Sequence, residues 1–340
     1  MAVTYKEHLV SVVVSVYDEE GALPAFYAEA KRVLGGIAHG AAGGSSGGDT
    51  APQLQGGIAT VAAHWSWELI FVNDGSRDAS PGILDGFAAG DAHVKVVHFS
   101  RNFGHEAAML AGIDYARGEL IVCLDADLQH PPACITEILG KYLEGYQVIT
   151  MVRMGNPDTS ALKQWLSRAF YRLVNRLAGM SFEENASDFF AVGGKAAALL
   201  RGHYRDKVRF LRGYVQCLGF RKTAIPYTAA RRVAGESKYS FRKLVRFGVN
   251  TIMCFSDLPL KLGIYAGAFA GALGVLMMVY TFVTWVMGAT PSGYPTIIIL
   301  MCFMFAILFL LVGIIGNYIA VLFEETKDRP IYIVDETRNL

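Results

Sequence analysis

An α/β domain with a mostly parallel sheet, followed by interfacial amphipathic helices and a two-helix transmembrane hairpin, is the architecture this 340-residue sequence predicts. Three observations carry it. Apolar runs of strand length alternate with helical stretches through roughly residue 235, the pattern of βαβ units. Polar loops, three of them acidic, follow the strands at Asp18/Glu19, Asp74 and Asp125/Asp127. Between Lys261 and Glu324 no residue carries a formal charge.

The first strand is Leu9–Val16, an apolar run ended by Tyr17-Asp18-Glu19-Glu20-Gly21. A helix is expected over Ala22–Leu34. Residues 35–57 hold nine glycines with alanine and serine, and read as a flexible insertion that cannot bury a core. Trp67–Val72 is the second strand, running into Asn73-Asp74-Gly75-Ser76-Arg77-Asp78, where Asp74-Gly75 suits a turn. Val94–Phe99 is the third, followed by Ser100-Arg101-Asn102-Phe103-Gly104-His105 and a small-residue helix over Glu106–Arg117. The next strand ends in Asp125-Ala126-Asp127-Leu128-Gln129-His130-Pro131-Pro132, and a further strand covers Gln147–Val152.

The Asp-Ala-Asp stretch is the organising feature. Ligands of open α/β sheets gather at the carboxyl ends of strands, and two carboxylates there are costly to bury without a positive partner. A divalent cation with hard oxygen ligands fits, its remaining positions filled by phosphates. Asp127 equally fits a helix N-cap ahead of two prolines.

Leu262–Met287 and Thr296–Phe323 each exceed the roughly 20 helical residues that cross a bilayer. Arg242, Lys243, Arg246 and Lys261 precede them, Lys327 and Arg329 follow, and the turn at 289–295 has no Lys or Arg. The positive-inside rule then places both termini in the cytoplasm. Leu9–Val16 is too short for a signal peptide and runs into acidic residues. The domains expected are therefore 1–235 cytosolic, 236–260 interfacial, 261–324 membrane-spanning and 325–340 a cytosolic tail. Two stretches, from Ser160 to Arg176 and from Ser240 to Phe255, interleave basic and apolar residues as amphipathic interfacial helices do. Glycines at 263, 267, 271, 274, 313 and 316 permit close helix contacts and lean toward a homo-oligomer.

Composition excludes other classes. Lys plus Arg is 31 against Asp plus Glu 30, so no nucleic-acid partner is indicated. Five scattered cysteines suggest neither a disulfide framework nor a zinc site.

Taken together, Val16–Glu20, Val72–Ser76, Asn102–His105, Asp125–Pro131, Arg231–Tyr239 and the tail Arg329-Pro330-Ile331-Tyr332 resemble family 2 glycosyltransferases. Within them the pattern is similar to the polyisoprenyl-phosphate subgroup, the dolichyl-phosphate mannose synthases and bacterial undecaprenyl-phosphate enzymes. The resemblance implies a GT-A catalytic domain that moves one sugar, with inversion, from a nucleotide-diphospho-sugar to a polyprenyl phosphate at the cytoplasmic membrane face. A uridine nucleotide is preferred on resemblance to the bacterial branch. It implies Tyr17, Glu19, Asp74 and Asp125 as nucleotide-binding residues, with Lys238 on the phosphates. It implies Asp125, Asp127 and Gln129 as ligands of Mg²⁺ or Mn²⁺, and Arg232 as a catalytic cation beside Asp127. Such cations suit a leaving group of growing negative charge, although Arg231, Arg232 and Lys238 also suit anionic headgroups. Arg153, Lys163 and Arg168 are expected near the acceptor phosphate and membrane lipids. The family's Asp-Phe-Arg pattern survives in part as Asp188-Phe189-Phe190, which keeps Asp188 to position or deprotonate the acceptor but removes the Arg from that loop. A processive synthase fits less well, because the hairpin has few spans and no Gln-x-x-Arg-Trp motif occurs. A non-catalytic lipid-carrier protein fits less well because the Asp125/Asp127/Gln129 set is intact.

Overall fold

The computed structural model describes residues 7–38, 64–154, 183, 186–207, 209–229, 258–288 and 293–340. It divides into two units, and residues 330–340 belong to the first with the α/β domain.

The α/β unit is built on an eight-stranded sheet. Its strands are β1 (Glu7–Val16), β2 (His64–Asn73), β3 (Val94–Phe99), β4 (Leu120–Asp125), β5 (Val148–Arg153), β6 (Ala186–Gly193), β7 (Lys222–Tyr227) and β8 (Val334–Arg338). The spatial order is β7-β5-β6-β4-β1-β2-β3-β8. Pairs β1–β2, β1–β4, β2–β3 and β5–β7 are parallel, while β4–β6, β5–β6 and β3–β8 are antiparallel. Such a sheet carries helices on its faces, here α1 (Leu23–Ala38), α2 (Ser80–Gly90), α3 (His105–Tyr115), α4 (Ile135–Leu143), α5 (Gly194–Gly202) and α6 (Leu211–Cys217).

The central strands form because they are almost continuously apolar, as both-face burial demands. Val10, Val12, Val13, Val14 and Leu120–Leu124 are fully buried. α3 lies directly on β1, since an added Cβ on Gly112 would sit 2.0 Å from Val13 Cγ1. At the amino end of the sheet, buried Glu68 pairs with buried Lys95, accepts from the Ser11 hydroxyl and takes the Arg117 N–H at 2.7 Å. That network ties β1, β2, β3 and the turn before β4 together, away from the acidic strand ends.

The second unit holds α7 (Leu258–Val286) and α8 (Tyr294–Thr326). Within them, Gly263–Thr284 and Phe303–Thr326 are long and apolar enough to cross a membrane, with 6% and 0% of their most apolar windows buried. Two exposed apolar helices of this length match the expected hairpin.

Three expectations need correction. The first helix continues through Gly35 and Gly36 to Ala38, so the insertion cannot begin at 35; helical hydrogen bonding overrides the weak propensity of two glycines. Asp188 lies on strand β6, where a loop was expected. The tail, to which no strand was assigned, contributes β8, which pairs with β3. The amphipathic stretches at 160–176 and 240–255, and the insertion from residue 39, lie outside the described residues.

Candidate active site

β1 pairs with β2 on one side and β4 on the other, so the chain order reverses there, and ligands of open α/β sheets bind beside such a switch point. A cavity of about 330 Å³ opens at that place, lined by Ser15, Tyr17, Glu19, Asp74, Gly104, His105, Asp125 and Asp127 among others. Five of the sequence-selected residues (Tyr17, Glu19, Asp74, Asp125 and Asp127) thus meet on one surface.

Asp74 is 2% exposed and directly follows β2. Its Oδ1 accepts the Phe103 N–H at 2.6 Å and its Oδ2 the Gly104 N–H at 2.9 Å. Burial pushes its pKa up, opposed by those two hydrogen bonds. Asp74 therefore holds the loop between β3 and α3 against the cavity. Gly75 next to it has φ +67°, and an added Cβ would meet the Arg101 backbone at 2.5 Å, so only glycine lets the two loops pack this closely.

Asp125 closes β4, opposite Ser15 in register. The Ser15 hydroxyl donates to Asp125 Oδ1 at 3.3 Å and lies 2.8 Å from His105 Nδ1. His130, 7% exposed, accepts the Asp125 backbone N–H on Nδ1 at 3.1 Å and stacks on Phe189 with ring centroids 5.2 Å apart. His105 and His130 are both parts of the Asp125 surroundings.

Asp127 does not cap a helix. The short 3₁₀ turn Pro132–Cys134 begins five residues later and leads into α4, with Pro131 at the N-cap of the turn. Asp127 Oδ1 instead accepts the Gln129 N–H at 3.0 Å across Leu128, whose φ is +62°. This local turn presents the carboxylate to the cavity. Gln129 itself reaches away, its Oε1 accepting from Arg153 Nη1 at 3.3 Å. Among the described residues no cluster of three or more His, Cys, Asp or Glu could hold a metal ion. The donor set, two half-exposed carboxylates on an open cavity, fits a cation that takes its other ligands from a diphosphate and water.

The sequence reading missed Arg212, on α6. Its Nε and Nη2 grip Asp188 Oδ1 and Oδ2 at 3.0 and 2.8 Å, and its Nη1 donates to the Ala186 carbonyl at 2.7 Å. A cation thus stands beside Asp188 although Phe190 occupies the family's Arg position and is buried. Burial would raise the Asp188 pKa, but Arg212 and then His105 outweigh it and hold the carboxyl below its ordinary value. The signal was indirect: an acidic residue in a strand core calls for a cation from elsewhere in the chain.

Burial also acts against ionised His105, yet Asp125, Asp188 and Glu106 together raise its pKa. Glu106 accepts the Leu211 N–H at 3.2 Å, and burial with repulsion from Asp188 lifts its pKa to about 7. A carboxyl with a raised folded pKa keeps its proton where the unfolded chain has lost it. Stability therefore falls as pH rises from about 4.5 to about 7 and levels off above. Glu106→Gln keeps an acceptor for Leu211 and removes that slope, so unfolding curves should show it more stable than wild type by about 3 kcal/mol at pH 8 and nearly equal at pH 4.5.

Of the remaining expected residues, Lys163, Arg168, Arg232 and Lys238 lie outside the described residues.

Comparison with known proteins agrees with this geometry. The model of glycosyl transferase family 2 matches residues 51–202. An uncharacterized glycosyltransferase, YkcC, from Bacillus subtilis (strain 168) is 38% identical over 273 residues, 80% of this chain and 84% of its own. A bactoprenol glucosyl transferase of Shigella phage SfII is 29% identical over 329 residues, 96% of this chain and 98% of that protein. A mannosyltransferase from Pyrobaculum calidifontis in complex with GDP-Man and Mn²⁺ superposes with a TM-score of 0.45 at 16% identity, covering 91% of this chain and 88% of that one, too loose a match to argue from. Sheet order, acidic strand ends and the 38% relative converge: the chain belongs to glycosyl transferase family 2 and is a glycosyltransferase with a GT-A fold.

Proposed function

We propose that this enzyme transfers one sugar, with inversion, from a nucleotide-diphospho-sugar, a UDP-sugar in the first instance, to a polyprenyl phosphate at the cytoplasmic membrane face. The observation that carries it is the acidic cavity at the β1/β4 switch point in a chain that also bears two exposed apolar helices. The relatives named bactoprenol glucosyl transferase, which match 96% of this chain, support a polyprenyl acceptor and make a glucosyl donor the first to test.

Asp125 and Asp127 would hold Mg²⁺ or Mn²⁺, which supplies positive charge for the donor diphosphate. Tyr17 and Glu19 lie where the nucleoside would rest, and Asp74 shapes that wall through the Phe103 and Gly104 N–H groups. An acceptor phosphate oxygen attacks the anomeric carbon, the bond to the diphosphate breaks, and the nucleoside diphosphate leaves with the electron pair. No proton has to be taken from the acceptor, because a phosphate monoester has a second pKa of about 6 and is mostly ionised at neutrality. Asp188 is then not needed as a base; its carboxylate fixes the Arg212 guanidinium. Arg153, tied to Gln129 beside the acidic turn, is the described cation best placed for the acceptor phosphate, and Lys163, Arg168, Arg232 and Lys238 complete the proposed cationic set.

Membrane sidedness has its own support. β8 follows α8 and pairs with β3 of the catalytic unit, which supports a hairpin whose two ends lie on one side of a bilayer. The Lys and Arg residues flanking the hairpin support a cytoplasmic assignment for that side.

The test is transfer of labelled sugar from a panel of UDP- and GDP-sugars to undecaprenyl phosphate, with full-length protein in detergent. One lipid-extractable product carrying a single sugar supports the proposal. A growing polymer would favour a processive synthase, and silence from protein that still binds the lipid would favour a non-catalytic carrier.

A further inference from the structure

The C-terminal strand is an odd addition to the sheet. β8 has five residues, Asp335, Glu336 and Thr337 are exposed, and little apolar surface is buried by it. What it does offer is two chains of contacts, both of which end on loops around the acidic cavity.

The first begins at Tyr332. Its ring stacks on Phe99 with centroids 5.1 Å apart and planes 9° from parallel, and Phe99 meets Phe103 edge-on at 5.7 Å. The Phe103 N–H is the one Asp74 accepts. The Ser100 N–H donates to the Ile333 carbonyl at 3.1 Å. The Tyr332 hydroxyl donates to Asp114 Oδ2 at 2.6 Å, near the end of α3, and Arg205 holds the same carboxylate at 2.9 Å. Tyr332 thus grips both sides of the turn that brings Asn102, Gly104 and His105 to the cavity.

The second begins at Arg338, whose Nε lies 3.0 Å from Asp85 Oδ1. The same oxygen is 3.2 Å from His98 Nε2, and His98 Nδ1 accepts from Asn73 Nδ2 at 2.9 Å. Asn73 Oδ1 accepts the Ser76 N–H at 3.0 Å, and the Ser76 hydroxyl accepts the Asp18 N–H at 3.0 Å. That path crosses the turn containing Asp74 and reaches the residue between Tyr17 and Glu19.

We propose that the C-terminal tail braces the donor site, with Tyr332, just before β8, and Arg338, on β8, as positioning residues that hold the Ser100–Gly104 and Asn73–Ser76 loops in nucleotide-binding geometry. This rests on the reading of the cavity as the nucleotide-sugar site. Neither residue touches the cavity; each acts through the loop it braces. The consequence is specific: loosening the tail should weaken the donor and leave the lipid acceptor alone.

The experiment uses the full-length enzyme and the variants Tyr332→Ala, Tyr332→Phe and Arg338→Ala, with UDP and GDP binding by calorimetry and KM for donor and acceptor measured separately. Small displacements of positioning groups are costly, so Tyr332→Ala should raise the nucleotide Kd and the donor KM about tenfold. Its acceptor KM should not move. Tyr332→Phe keeps the stack on Phe99 and should recover most of that loss, and Arg338→Ala should show the donor effect independently. An unchanged donor KM in a folded Tyr332→Ala protein would overturn the proposal. So would equal damage to donor KM, acceptor KM and kcat, the pattern of a merely structural strand. If the wild type binds neither nucleotide, the cavity is not the donor site, and that reading fails together with this inference.

Discussion

Asp127→Ala should abolish transfer while leaving the fold intact, with activity down at least about a hundredfold. The side chain stands on a turn after β4 and accepts the Gln129 N–H, a local bond whose loss costs about 1 kcal/mol. Its functional cost is larger. With Asp125 it is one of two carboxylates facing the cavity from this turn, and two oxygen donors are few to begin with. Asp127→Asn keeps the turn, since an amide oxygen also accepts from Gln129, but halves the negative charge. It should unfold like wild type and still fail in transfer. A variant retaining more than a tenth of wild-type kcat/KM would show that Asp127 does not carry the site.

Arg212→Ala should be the most destabilising single change near the site, by about 3 kcal/mol, because it leaves the Asp188 carboxylate half-buried without its bidentate partner. The pH dependence gives the sign. In the wild type the Asp188 pKa is lowered, so the pair contributes stability above the ordinary carboxylate pKa, lost as pH falls through the lowered folded value. In the variant burial is opposed only by the weaker pull of His105 and His130, and the pKa rises. The gap between the two proteins should therefore be smallest in acid below the lowered Asp188 value and widen as pH rises toward neutrality. Arg212→Lys restores the charge but not the fork, and should recover part of the stability and little of the activity. Equal thermal unfolding of wild type and Arg212→Ala across this range would refute the ion pair.

These expectations separate what the sequence displays from what folding adds. Central strands were legible because Val10–Val16 and Leu120–Leu124 are almost continuously apolar, which leaves few alternatives. The acidic strand ends were legible for the complementary reason: charges that interrupt such runs need a purpose. Asp74 shows the limit of that logic. Its place on the cavity follows from its strand, but its acceptance of two N–H groups 29 and 30 residues away depends on how loops meet. Arg212 carried no local signal at all, since Phe210-Leu-Arg-Gly-Tyr214 has no spacing that marks an ion pair with Asp188. β8 was hidden because Val334-Asp-Glu-Thr-Arg338 has one apolar residue and is held by backbone pairing to β3 and by polar contacts. Gly35-Gly36 misled in the opposite sense, as glycines next to a glycine-rich stretch joined the helix before it.

The most direct test of the account is calorimetric titration of the full-length protein with UDP and UDP-sugars, with Mg²⁺ or Mn²⁺ present and again after EDTA. The account predicts binding that requires the cation, disappears in Asp127→Ala and weakens in Asp125→Asn. Nucleotide binding of equal strength with and without the cation, unaffected by either substitution, would contradict it.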